Sequence, residues 1–234
     1  GIALIHLNKF DEAIESWTKA IEIDPNSLDA YNNRGNALIK LKKNELALKN
    51  FDQALKLKPN FSQALHNRSV VLKNLNKFEL ALESVNKALT NKTKAIMPVQ
   101  LNGRVAKMDL LMDLAAKEDL LVIEDSCQSL GASYKGKQAG TFGKTGTFSF
   151  FPAKTLGCFG DGGGIVTNDS DIADKVRMIR DHGRSPKDGK VKLFGFNGRL
   201  DNLHAAILGF KMKYYDEDIA RRRTLASIYQ ECLE

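Results

Sequence analysis

Lys154 stands between an apolar run that reads as a buried strand and a glycine-rich turn. It lies within Ser149-Phe150-Phe151-Pro152-Ala153-Lys154-Thr155-Leu156-Gly157, which is followed by Gly160-Asp161-Gly162-Gly163. Upstream, Val122-Ile123-Glu124-Asp125-Ser126-Cys127-Gln128 places carboxylates at the end of a second apolar run. An amine near one strand end, with a carboxylate at another, is an arrangement that can hold and tune pyridoxal phosphate. Plainer readings exist for each residue. A lone loop lysine is ordinarily solvated, and an aspartate at a strand end can simply cap the following turn. Gly160, Gly162, Gly163 and Gly164 can simply supply turns with positive φ.

The elements that must position these groups follow from the surrounding pattern. Ala95–Val99 is a short apolar run, and Met108–Lys117 has the spacing of an amphipathic helix. Leu120–Ile123, Thr147–Phe151 and Gly164–Thr167 read as strands. Asp171–Arg180 reads as a helix with Asp169 or Ser170 as its cap, and Leu200 opens one or two further long helices. Short apolar strands alternating with helices imply an α/β layer, with ligands outside the strand ends.

The first part of the chain obeys a different rule. It superposes on itself with a shift of 34 residues: Gly1 on Gly35 and Ser69, Leu4 on Leu38 and Leu72, Ala13 on Ala47 and Ala81. Trp17 likewise falls on Phe51 and Val85, Ala20 on Ala54 and Ala88, and Pro25 on Pro59. Small residues recur where paired helices approach, large ones fill the groove, and proline ends each second helix. This pattern resembles the tetratricopeptide repeat (TPR) over residues 1–92, with a truncated first copy and Thr93 where the third proline would fall. Arg34 stands where leucine is usual in such repeats. Stacked helix pairs present a surface that can hold a peptide partner. Asn32, Asn33, Lys40, Asn67 and Arg68 are polar positions near that face, and solvated helix positions are their plainer reading.

Bulk properties narrow the function classes. The net charge of +7 divides into +5 up to Lys94 and +2 beyond it, and only Arg221-Arg222-Arg223 forms a basic run. That run lies on an expected helix with acids nearby, so a solvated or subunit-facing helix is expected rather than a nucleic-acid surface. No apolar stretch approaches the ~20 residues of a membrane helix, and no signal segment opens the chain. Cys127, Cys158 and Cys232 lack paired spacing, and the four histidines are scattered, so neither a disulfide framework nor a metal site is expected. A reducing cytoplasm fits this usage. The chain opens on Gly1 inside an expected helix, which reads as a fragment.

From Lys94 to Glu234 the chain resembles the sugar aminotransferases called the DegT/DnrJ/EryC1/StrS group, a branch of the aspartate-aminotransferase fold. The motifs are Pro98-Val99-Gln100-Leu101-Asn102-Gly103, Ile123–Gln128, Ser149–Leu156, Gly160–Gly163 and Gly195-Phe196-Asn197-Gly198-Arg199-Leu200-Asp201. The expected fold class is therefore α + α/β: TPR hairpins over 1–92, then a partial type I pyridoxal-phosphate large domain over 93–234. The resemblance implies that Lys154 forms the Schiff base, since an imine exchanges readily with an incoming amine. It implies that Asp125 pairs with the pyridinium nitrogen, that Gln128 lies near the phenolic oxygen, and that Ser149 binds the phosphate. Asn197 matches a residue that reaches the neighbouring subunit's cofactor, implying a homodimer. Lysine at 154, where dehydratase relatives carry histidine, implies transfer of an amino group from a donor, commonly glutamate, to a keto-sugar nucleotide. Lys154 then moves the proton.

The departures matter equally. Helical repeats occupy the place where family members carry an anion-binding helix start and a ring-stacking aromatic, and the chain stops before the family's small C-terminal domain. Gln100 replaces a common histidine and Thr155 a frequent asparagine. Thr90–Lys94 joins the two parts with no flexible linker, which reads as a splice of two partial domains. A sheet without its early strands exposes pairing edges. The alternative expectation is a repeat-based interaction protein joined to a non-catalytic aminotransferase remnant.

Overall fold

The computed structural model describes residues 1–233, and the chain divides into two compact units, 1–93 and the residues from 94 onward.

The first unit is all helix: α1 (Ile2–His6), α2 (Phe10–Ile23), α3 (Leu28–Lys40), α4 (Asn44–Leu57), α5 (Ser62–Asn74) and α6 (Phe78–Ala88). The 34-residue period reappears in the backbone. Asn8, Lys42 and Asn76 take left-handed φ values of 57°, 57° and 58°. The next amide in each case, Lys9, Lys43 and Lys77, bonds back to Leu4, Leu38 and Leu72. Each copy thus reverses direction through one left-handed residue and one bond across the turn. Leu38, Ala47, Phe51 and Val71 form the core, with Ile14, Ile39, Leu48 and Leu75 packed around them.

Polar side chains join successive copies. Arg34 donates to Asn50 Oδ1 at 2.8 Å and Thr18 Oγ1 at 3.1 Å. One period later Arg68 donates to Asp52 Oδ1 at 2.7 Å and Ser84 Oγ at 2.6 Å. Each guanidinium therefore spans the second helices of two neighbouring pairs, which accounts for arginine where leucine is usual. Asn67 donates to the buried Asn32 at 2.9 Å. Asn32, Asn67 and Arg68 are thus committed inside the array, whereas Lys40 is exposed and Asn33 half-buried.

The second unit carries β1 (Ala95–Ile96), α7 (Met108–Lys117), β2 (Leu121–Asp125), β3 (Ser133–Tyr134), β4 (Lys137–Gln138), β5 (Thr145–Ser149), β6 (Gly163–Val166), α8 (Ser170–Ile179), α9 (Asn202–Met212) and α10 (Tyr215–Leu233). The main sheet has the order β1-β2-β5-β6, and β3 and β4 form a separate pair. β1, β2 and β5 run parallel, while β6 is antiparallel to β5. Asp169 caps α8, accepting from the amides of Asp171 and Ile172. The expected strand at Thr147–Phe151 begins two residues earlier and ends at Ser149. Phe150 and Phe151 leave it because Phe151 opens a turn, its carbonyl accepting from Lys154 N, with Pro152 unable to continue a ladder. One core packs Met108, Ala115 and Val122, and another packs Leu156, Cys158, Leu208 and Tyr215.

Candidate active site

Because β2 and β5 are parallel, their carboxyl ends lie at the same edge of the sheet. Asp125 is the last residue of β2 and pairs with Thr147 of β5; Ser149 ends β5 two residues further on. This is where an α/β sheet offers a ligand site. Asp125 Oδ1 accepts the amide of Cys127 at 3.1 Å, so the aspartate does cap its turn. Gln128 follows in that turn with an exposed side chain, and Ser149 Oγ accepts from Phe151 N at 3.3 Å.

Lys154 sits half-buried in the loop between β5 and β6. Its own amide bonds to Phe151 O at 2.9 Å. Just beyond, Leu156 and Cys158 are buried, and the Cys158 amide and thiol both bond to Phe150 O. The loop is therefore pinned on both sides of the lysine. Lys211 of α9 adds a bond to Gly157 O at 2.5 Å.

The partly buried Cys127 thiol lies just after Asp125, and its pKa is raised. Burial first pushes its pKa up, and hydrogen bonding and charge from Asp125 push in the same direction. A hydrogen bond with Thr147, at 3.7 Å, and the Lys154 ammonium pull it down. Of the two charged groups, the β2 carboxylate has the stronger effect on this thiol and the amine of the β5–β6 loop the weaker. Asn197 lies elsewhere: it is exposed, in an isolated antiparallel bridge with Asp181, and no hydrogen bond among the described residues joins it to the other four.

Two side chains with a part in this geometry escaped the sequence reading. Tyr215 donates to Leu130 O at 2.8 Å and lies 3.5 Å from Thr155 Oγ1, tying the turn after Asp125 to the loop of Lys154. No local signal marks a partner 60 or 85 residues away. Glu124 is fully buried with four hydrogen-bond donors, and here a signal existed: a charge inside an apolar strand must be partnered.

The sheet offers a carboxylate at the end of β2 and an amine on the loop after the parallel β5, and similar proteins make the class specific. The profile of the DegT/DnrJ/EryC1/StrS aminotransferase family matches residues 67–234, and the chain belongs to that family. Its match begins within α5, so it overlaps the third helix pair. TPR profiles match residues 1–42 and 28–61. A "Pleiotropic regulatory protein" of Geobacillus stearothermophilus is 48% identical over 145 residues, which is 62% of this chain and 39% of that protein. A UDP-2-acetamido-2-deoxy-3-oxo-D-glucuronate aminotransferase of Pseudomonas aeruginosa is 45% identical, covering 62% of this chain and 40% of the relative. Among solved structures, DesV of S. venezuelae in complex with a ketimine intermediate superposes with a TM-score of 0.61 at 41% identity, over 64% of this chain and 40% of DesV. The chain spans about two fifths of the length of the relatives it matches.

Proposed function

We propose that residues 93–234 are the lysine-bearing part of a pyridoxal-phosphate aminotransferase that acts on a keto-sugar nucleotide, with residues 1–92 a TPR interaction array. The observation that carries this is the placement of Asp125 at the carboxyl end of β2 and of Lys154 on the pinned, half-buried loop that follows β5, the parallel neighbour of β2. The residues present fit the cofactor's two reactive ends: an amine on a pinned loop for its carbonyl, and a strand-end carboxylate for its ring nitrogen. Ser149 is the candidate for its phosphate and Gln128 for its phenolic oxygen. Bound there, the cofactor would supply an electron sink. Lys154 would hold it, release it to the incoming amine and move a proton at its Nζ. Asp125 would keep the ring nitrogen protonated by charge.

Glutamate is the proposed donor, and a nucleotide-linked keto sugar the acceptor, in polysaccharide or other sugar-nucleotide biosynthesis. The relative from Pseudomonas aeruginosa, named for a UDP-linked 3-oxo sugar acid, supports that class. The exposed Asn197 is free to meet a second copy, in support of a homodimer. Three unpaired cysteines support a cytoplasmic setting. No helix among the described residues is long and apolar enough to cross a membrane.

The test is direct. The purified chain is mixed with pyridoxal phosphate, its visible spectrum followed, the adduct reduced with borohydride and the modified residue located by mass spectrometry, beside Lys154→Ala. Cofactor trapped on Lys154, with no specific band in the variant, is expected. No specific band from a chain with folded repeats would overturn the enzymatic reading for this polypeptide. It would favour the second one, an interaction array joined to a non-catalytic aminotransferase remnant.

A further inference from the structure

We propose that Glu124 is a positioning residue: through Gln100 it locks the segment 98–103 around the turn that carries Asp125 and Gln128. This rests on the reading of Asp125 and Gln128 given above.

The carboxylate is fully buried, and both of its oxygens are saturated with donors. Oε1 accepts from Phe142 N at 2.6 Å and Gly143 N at 3.0 Å. Oε2 accepts from Gly140 N at 2.9 Å and Gln100 Nε2 at 3.0 Å. None of the four donors is charged, so the negative charge is met wholly by N–H dipoles. A buried charge is tolerated only when so compensated, and such a network holds its members tightly. Three of these bonds fasten the loop before β5 to β2.

The fourth reaches the candidate site. Gln100 is itself fully buried, its Oε1 accepting from Ala106 N at 2.7 Å. With its side chain fixed between Glu124 and Ala106, its backbone faces the turn. Gln100 N donates to Asp125 O at 2.8 Å, and Gln100 O accepts from Ser129 Oγ at 2.5 Å. On either side, Asp125 N donates to Pro98 O at 3.0 Å and Gly103 N to Gln128 O at 3.0 Å. The turn from Asp125 to Ser129 is thus held at four points by one segment, and that segment is held by Glu124. Alternate side chains of a strand point to opposite faces, so Glu124 can grip from behind while Asp125 faces the site.

The chemistry makes a sharp demand. All four partners are donors, so both oxygens must accept. A carboxamide would turn an NH2 group toward two of them, and the isosteric Glu124→Gln should disrupt the lock. Gln100→Leu removes the side-chain link but leaves the carboxylate its three backbone amides. Gln100→His restores a donor as an imidazole N–H.

All three variants are made in the full chain, with circular dichroism as the fold control. Two quantities are read: the pH profile of Cys127 alkylation, which needs no cofactor, and the dissociation constant for pyridoxal phosphate. Glu124→Gln and Gln100→Leu are expected to move the Cys127 profile to lower pH, because a displaced Asp125 no longer holds the thiol up. They are expected to weaken cofactor binding by about tenfold, or about 1.4 kcal/mol. Gln100→His is expected to stay near wild type in both. If Glu124→Gln fails to fold, Gln100→Leu decides alone. A folded Gln100→Leu with an unmoved Cys127 profile overturns the proposal. A wild-type chain that binds no cofactor while the profile still moves overturns the cofactor reading and leaves the lock standing.

Discussion

The packing of Gly35 of α3 against Phe51 of α4 supports a quantitative double-mutant cycle. Phe51 is fully buried, and a Cβ built on Gly35 would lie 2.6 Å from its Cε1, 2.7 Å from Cζ and 3.1 Å from Cδ1. Ordinary contact begins at 3.4 Å, so the ring would have to withdraw by 3.4 − 2.6 = 0.8 Å. It cannot do so freely, because Leu38, Ala47 and Val71 close around it. Gly35→Ala therefore combines a helix-propensity gain of about 1 kcal/mol with an overpacking cost of about 1–3 kcal/mol, a net loss of about 1 kcal/mol. Phe51→Ala alone should cost about 3–5 kcal/mol. With the ring gone, the alanine at 35 keeps its propensity gain and meets no clash. The double variant should be more stable than Phe51→Ala, with a coupling of about 2 kcal/mol. Native-state hydrogen exchange at the α3 and α4 amides is the assay, since it reports on the repeats alone. Effects that add to within ~0.5 kcal/mol would refute the packing argument. The same pairing recurs one period earlier, where Gly1 lies against Trp17.

Other expectations follow from single sites. Asp125→Asn should lower the Cys127 thiol pKa and speed its alkylation near neutral pH, while Lys154→Ala should raise it and slow the reaction. Equal rates in both variants would mean that the two groups do not share the site. Asp109 is held at about 2, chiefly by its bond with Lys135 at 2.6 Å and then by Leu110 N. Its folded value lies below its usual 3.8, so its contribution to stability is present above about 4 and lost as pH falls towards 2. An NMR titration should find the low value, and Lys135→Met should return it upward. Arg34→Leu should cost about 1–3 kcal/mol by leaving the buried Asn50 Oδ1 without its donor. Urea unfolding that matches the wild type would show the arginine bridge to be dispensable.

Local pattern was enough for the elements. The 34-residue period set the helix pairs, and the left-handed turns at Asn8, Lys42 and Asn76 recur with it. Met108–Lys117 was legible, and the cap of α8 was narrowed to Asp169 or Ser170, because amphipathic spacing and capping are properties of adjacent residues; the structure chose Asp169. The candidate site was readable only as separate motifs: Asp125 ends β2 and Lys154 stands on the loop after β5, positions that their neighbours announce.

What brings the motifs together was written elsewhere in the chain. Arg34 meets partners 16 residues away on both sides, Gln100 reaches Glu124 across 24 residues, and Tyr215 reaches Leu130 across 85. Asn32 and Arg68 read as surface positions until these partners claimed them. The sequence by itself determined the repeat period, the strand and helix types and the order of the motifs, because each depends on residues a turn or a pleat apart. The tertiary structure alone decided which buried polar groups are satisfied and by whom. A hydrogen bond needs only about 3 Å in space and imposes no spacing along the chain.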